Sequence, residues 1–228
     1  MWFFDDSYRE VATLRDGETV VLRLVRPSDK ELMRRGFAKL SPESRYTRFF
    51  TPKLSLTEDE LRYLTEIDHV HHLAIGAIRE HPGGEDEGLG VARFISLRDE
   101  PGTAEAAIAV LDEMQGKGLG SLLFMRLVAA ARERGVERVR CEVLGSNHGM
   151  QEFLKSVSVD RTLSVESGVV RVELTLPPMT PAEPPAEVPR DSAMYKLLRM
   201  VARGAVETRA VVARMMGRPP SEPPIVHE

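Results

Sequence analysis

The sequence predicts an α/β or α+β domain over residues 14–176, a mixed sheet with helices on its faces. Three observations lead there. Short β-branched or alternating runs recur along the stretch and read as strands. Amphipathic helical patterns lie between several of them. At Pro177 the composition breaks, and the segment that follows is rich in Pro, Ala and Glu. Such a segment buries little surface and reads as an extended linker.

Taken in order, residues 1–13 form an N-terminal extension. "TVVLRLV" (19–25) alternates and is β-branched, so it is a strand. "SDKELMRRGFAKL" is a helix with Ser28 as its expected N-cap. "SPESRYTRFF" (41–50) is a short helix with Ser41 as cap and Pro42 in its first turn. "TEDELRYLTEI" (57–67) opens on Thr57 with Glu60 three residues on, the capping-box spacing. "HHLAIGAIRE" is a strand, "HPGGEDEG" a turn, and "LGVARFISL" and "TAEAAIAVL" two further strands. "SLLFMRLVAAARERG" is an amphipathic helix ended by Gly135. "RVRCEVL", "HGMQEFLKS" and "GVVRVELTL" read as strand, short helix and strand. Beyond the linker (177–191), residues 192–216 form a basic amphipathic helix, and 217–228 a Pro-rich tail. The apolar stripe of that helix needs a cover. Packing against the domain or against a second copy, as a homodimer, would supply one.

Composition excludes several classes of partner. The net charge is −4, so there is no overall basic footprint for nucleic acid. No apolar run has the length of a membrane span, and "MWFFDDSYRE" is not a secretory signal. The lone Cys141 fits a reducing compartment, and a cytoplasmic location is expected. "DHVHH" spaces His69 and His71 to one side of a strand and His72 to the other, without a Cys or carboxylate cluster, so no metal is expected.

The chemistry points to "VLDEMQGKGLGSLLFMRLVAAARERG" (110–135). A P-loop needs Ser or Thr after Gly-Lys, and here Gly118 follows Lys117. A dinucleotide fingerprint needs its third glycine at Ser121. What remains is a strand, an acidic turn, "QGKGLG" and a helix. Glycines permit close backbone approach, and the first helical turn offers amides and a dipole that favour an anion. The spacing alone fits a phosphate seat and a simple glycine turn about equally.

"QGKGLG" matches the Q/R-x-x-G-x-G/A signature at Gln115, Gly118 and Gly120, and so resembles the GNAT superfamily of N-acetyltransferases. "LSPESRYTRFF", "AEAAIAVLDEMQGKGLG" and "NHGM" (147–150) resemble segments of its bacterial protein lysine acetyltransferases. The resemblance covers 14–176 and implies a GNAT-like, mostly antiparallel central sheet. It implies acetyl-CoA as cosubstrate, with its pyrophosphate on Gln115, Gly116, Lys117, Gly118, Leu119, Gly120 and Ser121. It implies a splayed strand end at Ile108, Ala109 and Val110 that lends backbone groups to the pantetheine, the Val110 N–H polarising the thioester carbonyl. Asn147 matches the asparagine that touches the cofactor. The implied acceptor is a primary amine, foremost a protein lysine. A small-molecule amine acetyltransferase, or a coenzyme A-binding or interaction protein without turnover, shares the same core.

Glu105, ten positions before Gln115, matches the glutamate given the base role in the lysine-acetylating relatives. A lysine with a pKa of about 10.4 needs such a base near neutral pH. A solvated strand face or a structural ion pair is the competing account of Glu105. Two departures from the family pattern stand out. Phe153 occupies the helix that often holds an acidic tyrosine, and Ser158-Val159 replaces the usual Gly-Phe. Tyr46 and His148 are the candidate acids. Arg45 and Arg48 flank Tyr46 and would select an acidic substrate or only solvate a helix.

Overall fold

The structure, a computed structural model, describes residues 2–42, 44–45, 53–144, 161–166 and 169–176. Tyr46, Arg48, Asn147, His148, Phe153, Ser158-Val159, the 148–156 helix, the linker, the C-terminal helix and the tail lie outside the described residues.

The described elements are β1 (Arg9–Thr13), β2 (Thr19–Leu24), α1 (Lys30–Lys39), α2 (Glu58–Thr65), β3 (His72–Arg79), β4 (Glu87–Ser96), β5 (Thr103–Val110), α3 (Leu119–Glu133), β6 (Arg138–Leu144), β7 (Arg161–Glu166) and β8 (Val169–Thr175). The strands form one sheet in the order β1-β2-β3-β4-β5-β6-β8-β7. Every pairing is antiparallel except β5 with β6. This is the mixed, mostly antiparallel sheet that the sequence predicts.

Helices cover both faces of the sheet. Arg93 of β4 donates to the Leu64 carbonyl of α2. A Cβ built on Gly90, which has the opposite parity on β4, would meet Leu123 of α3. Side chains alternate along a strand, so α2 and α3 lie on opposite faces. On the α3 face Ala92, Phe94, Ala104, Ala106, Leu123, Phe124 and Leu127 form the centre of the core, all nearly inaccessible. A helix of this length needs such an apolar stripe for its stability.

Three local expectations change. The domain begins before residue 14: Phe4 and Tyr8 are buried in the core, and residues 9–13 form β1. An edge strand with no buried residue gives no apolar alternation to read, and Val11 in it is 58% exposed. Ser28 is not the N-cap of α1. It lies within a 3₁₀ turn, Pro27–Asp29, and Asp29 accepts the Arg26 N–H at 2.8 Å. Pro27, with its φ fixed near the helical value, starts the turn one residue earlier. α3 begins at Leu119, two residues before Ser121. The capping box of α2 is present: Thr57 accepts the Glu60 N–H at 3.3 Å, and Glu60 accepts the Thr57 N–H at 2.8 Å.

Candidate active site

The site is built where β5 and β6 part. Their parallel register holds for Thr103, Ala104 and Glu105 opposite Arg138, Val139 and Arg140, and ends there. β5 runs on to Val110 beside β4, and β6 runs on to Leu144 beside β8. A gap opens between two strands that started side by side.

Backbone alternation decides which groups face that gap. The Leu97 N–H donates to the Thr103 carbonyl, and the Leu111 N–H to the Leu89 carbonyl, so the odd-numbered residues turn their polar groups towards β4. The even-numbered residues turn theirs to the β6 side. Ile108 and Val110 therefore face the gap. Ala109 does not, which corrects the expectation that all three lend backbone groups to it. The Ala109 carbonyl packs so close to β4 that a Cβ on Gly90 would lie 2.8 Å from it. Only a glycine fits at position 90 without displacing the strand.

Glu105 occupies the last paired position before the gap, across from Ile95 on β4 and Arg140 on β6. It is 7% exposed. Arg140 is engaged elsewhere, with Glu100 at 2.5 Å and Glu173 at 2.9 Å. Their hydrogen bonds, that of Glu100 foremost, push its guanidinium further above its ordinary range.

The glycine loop follows β5 directly. A 3₁₀ turn, Asp112–Met114, leads into Gln115, whose side chain donates to Asp112 at 3.1 Å. Gly116 and Gly118 have φ of +78° and +94°, the left-handed region that glycine enters at no steric cost. Gly118 is the N-cap of α3, and the first helical bond runs from the Leu122 N–H to the Gly118 carbonyl at 3.1 Å. The amides of Leu119, Gly120 and Ser121 thus precede the helical ladder, at the positive end of the helix dipole. No acidic residue stands in the first turn of α3. These features fit a pyrophosphate.

The structure adds a residue that the sequence does not mark. The turn between β1 and β2 lies against the loop: the Arg15 N–H donates to the Lys117 carbonyl at 3.1 Å. The exposed Arg15 side chain runs past Gly118, its Nε 3.4 Å from where a Cβ would be. Lys117 itself is clasped by Asp16 at 2.9 Å and Glu18 at 3.0 Å. These partners raise the Lys117 pKa, Asp16 foremost. The hydrogen bond from Lys117 is the main cause that lowers the Asp16 carboxyl, and one from Arg79 lowers that of Glu18. Arg15, about a hundred residues away in sequence, thus places a second basic side chain beside the loop.

On the face of α1 and α2, the Arg93 guanidinium is buried, at 4% exposure. It donates to the Leu64 carbonyl near the C-terminus of α2 and lies 3.0 Å from His72 Nε2. Burial lowers its pKa to about 10. The negative end of α2 is its counter-charge. Arg45 is spent on structure as well, donating to the carbonyls of Ala38, Leu40 and Leu54. This favours the structural account of Arg45 over substrate selection.

The gap, the two left-handed glycines and the helix end occur together in the order strand, loop, helix. Residues 35–157 match the acetyltransferase (GNAT) family. The chain belongs to the GNAT acetyltransferase family. Its members use acetyl-CoA as acetyl donor. The chain is 32% identical over 196 residues to acetyltransferase Pat of Mycolicibacterium smegmatis, covering 83% of this chain and 56% of that protein. It thus spans little more than half of that relative. It is 30% identical over 143 residues to acetyltransferase PA5475 of Pseudomonas aeruginosa, covering 63% of this chain and 76% of that protein. Among solved structures, the GNAT domain of S. lividans PAT superposes with a TM-score of 0.63 at 31% identity, over 74% of this chain and 97% of that one.

Among the described residues no group of three or more His, Cys, Asp or Glu could hold a metal ion. No described helix is long and apolar enough to cross a membrane.

Proposed function

We propose that the chain is an acetyl-CoA-dependent N-acetyltransferase acting on a primary amine, foremost a protein lysine. The observation that carries this is the parting of β5 from β6 at Glu105, directly upstream of the glycine loop. The names of the relatives, Pat and PAT, support the protein acceptor. The single cysteine, the buried Cys141, accords with a cytoplasmic location.

In this reading the amides of the 115–121 loop hold the pyrophosphate, and Arg15 adds a charge-assisted contact. Ile108 and Val110 hold the pantetheine along the gap. The Val110 N–H faces the thioester oxygen and stabilises its developing negative charge. Glu105 takes the proton of the acceptor ammonium, directly or through a water. The amine nitrogen then bonds to the acetyl carbon and gives up its second proton to solvent. The carbon–sulfur bond breaks, the thiolate takes a proton from solvent, and Glu105 returns its own proton to solvent.

Calorimetric titration of acetyl-CoA tests the seat. Gly118→Asp places a carboxylate where phosphate would sit, in a left-handed conformation and against Arg15. Binding by the native protein and loss of it in a variant with a native melting curve is the expected result. Glu105→Gln should retain acetyl-CoA binding and lower turnover on lysine peptides by about 10²-fold or more. Acetyl-CoA that does not bind the native protein would overturn the proposal.

A further inference from the structure

A second feature of β5 is the cavity beside it. It has a volume of about 160 Å³ and lies between α1 and the sheet. Leu32, Met33 and Phe37 of α1 form one wall, and residues 107–111 form the other. Its floor is bare because Gly76, Ala107 and Ala109 carry little or no side chain there. The hollow is partly open to solvent, and an apolar group that enters it gains by leaving water.

The lining says what would enter. Two of its charged groups neutralise each other: Arg23 donates to both carboxylate oxygens of Asp29 at 2.7 Å. The third, Arg93, is held by the Leu64 carbonyl and His72. Among the described residues the remaining lining is apolar side chain and glycine. The cavity therefore suits an uncharged hydrocarbon group. Its volume matches that of an engineered apolar cavity of about 150 Å³ that takes up benzene, a six-carbon group.

Position chooses between the two reactants. Glu105, which must meet the amine, is not in the lining, whereas residues 107–111 are. The cavity thus adjoins the end of β5 that holds the donor thioester, past the position of the base. We propose that it receives the acyl chain of the donor, so that the chain accepts acyl-CoA thioesters with unbranched chains of up to about six carbons. This rests on the acetyl-CoA reading above. The chemistry is unchanged: the amide bond forms, the carbon–sulfur bond breaks, and coenzyme A leaves as the thiol.

The test uses acetyl-, butyryl- and hexanoyl-CoA titrated into the full chain by calorimetry, with no acceptor required. Each methylene removed from water strengthens binding by about fourfold at most. Hexanoyl-CoA should therefore bind at least tenfold more tightly than acetyl-CoA. Gly76→Val fills the floor, since a Cβ at Gly76 has only an ordinary 3.6 Å contact with Val25. It should abolish that preference, and Leu32→Ala should extend it to longer chains. Acetyl-CoA that binds as tightly as hexanoyl-CoA, or more so, overturns the acyl assignment and leaves the acetyl-CoA reading standing. A chain-length preference that Gly76→Val leaves intact overturns it as well. Failure of every thioester to bind overturns both.

Discussion

Arg15 shows how a single side chain acquires meaning from its neighbours. In the sequence it is one of many basic residues. In the fold it passes alongside Gly118, while Lys117, the basic residue within the loop, is tied to Asp16 and Glu18. If Arg15 holds phosphate, Arg15→Gln should weaken coenzyme A binding by about tenfold, the worth of one charge-assisted hydrogen bond. Pantetheine, which has no phosphate, should bind both proteins alike. Equal losses for the two ligands would show that Arg15 only supports the turn. Val110 and Ala109 teach a related lesson. The sequence places both on the reacting strand, but only backbone alternation, fixed by the β4 pairing, separates residues that face the gap from those that do not. No residue type signals that difference.

At the scale of elements, β1 is held to α3 by a compact polar cluster. Glu10 accepts from Arg126 through two bonds of 2.7 Å and from the Tyr8 hydroxyl at 2.7 Å. The Arg126 bonds hold the Glu10 carboxyl below its ordinary 4.5. Burial, the largest cause, pushes the Tyr8 hydroxyl above its ordinary 10. On acidification the unfolded Glu10 takes up its proton first. Its contribution to stability is whole above about 4.5 and is lost as the pH falls through the lower folded value. Glu10→Gln should cost about 1–2 kcal/mol near neutral pH. It should also flatten the fall of melting temperature below pH 4.5. An acid limb identical to that of the native protein would argue against this coupling. The capping box of α2 was legible because its signals are three residues apart. The start of α1 was not, because Asp29 is fixed by Arg23 of another element as much as by its own turn.

At the scale of the whole molecule, the N-terminal residues close the core. Phe4 is 1% exposed and packs 4.7 Å from the Tyr8 ring. Its carbonyl accepts from Arg134 at 2.7 Å, and its N–H donates to Glu133 at 3.2 Å. Deleting residues 2–8 should cost about 3–6 kcal/mol, the worth of burying two aromatic rings. In a chain of this length that lowers the melting temperature by roughly 10 °C or more. A truncated protein that melts within about 2 °C of the native one would show that these residues merely rest on the surface.

The sequence by itself determined the order of the described strands and helices from β2 to β6, the strand β8, the glycine loop, the capping box of α2 and the family; it did not mark β7. Each rests on a short period, a cap or a contiguous motif, and neighbours along the chain carry that information. Tertiary structure alone decided that β5 and β6 part after Glu105, that Arg15 meets the loop, that β1 joins the sheet and that α1 stands over a cavity. These depend on contacts between residues far apart in sequence, whose pairing follows from packing and register and leaves no local pattern to read.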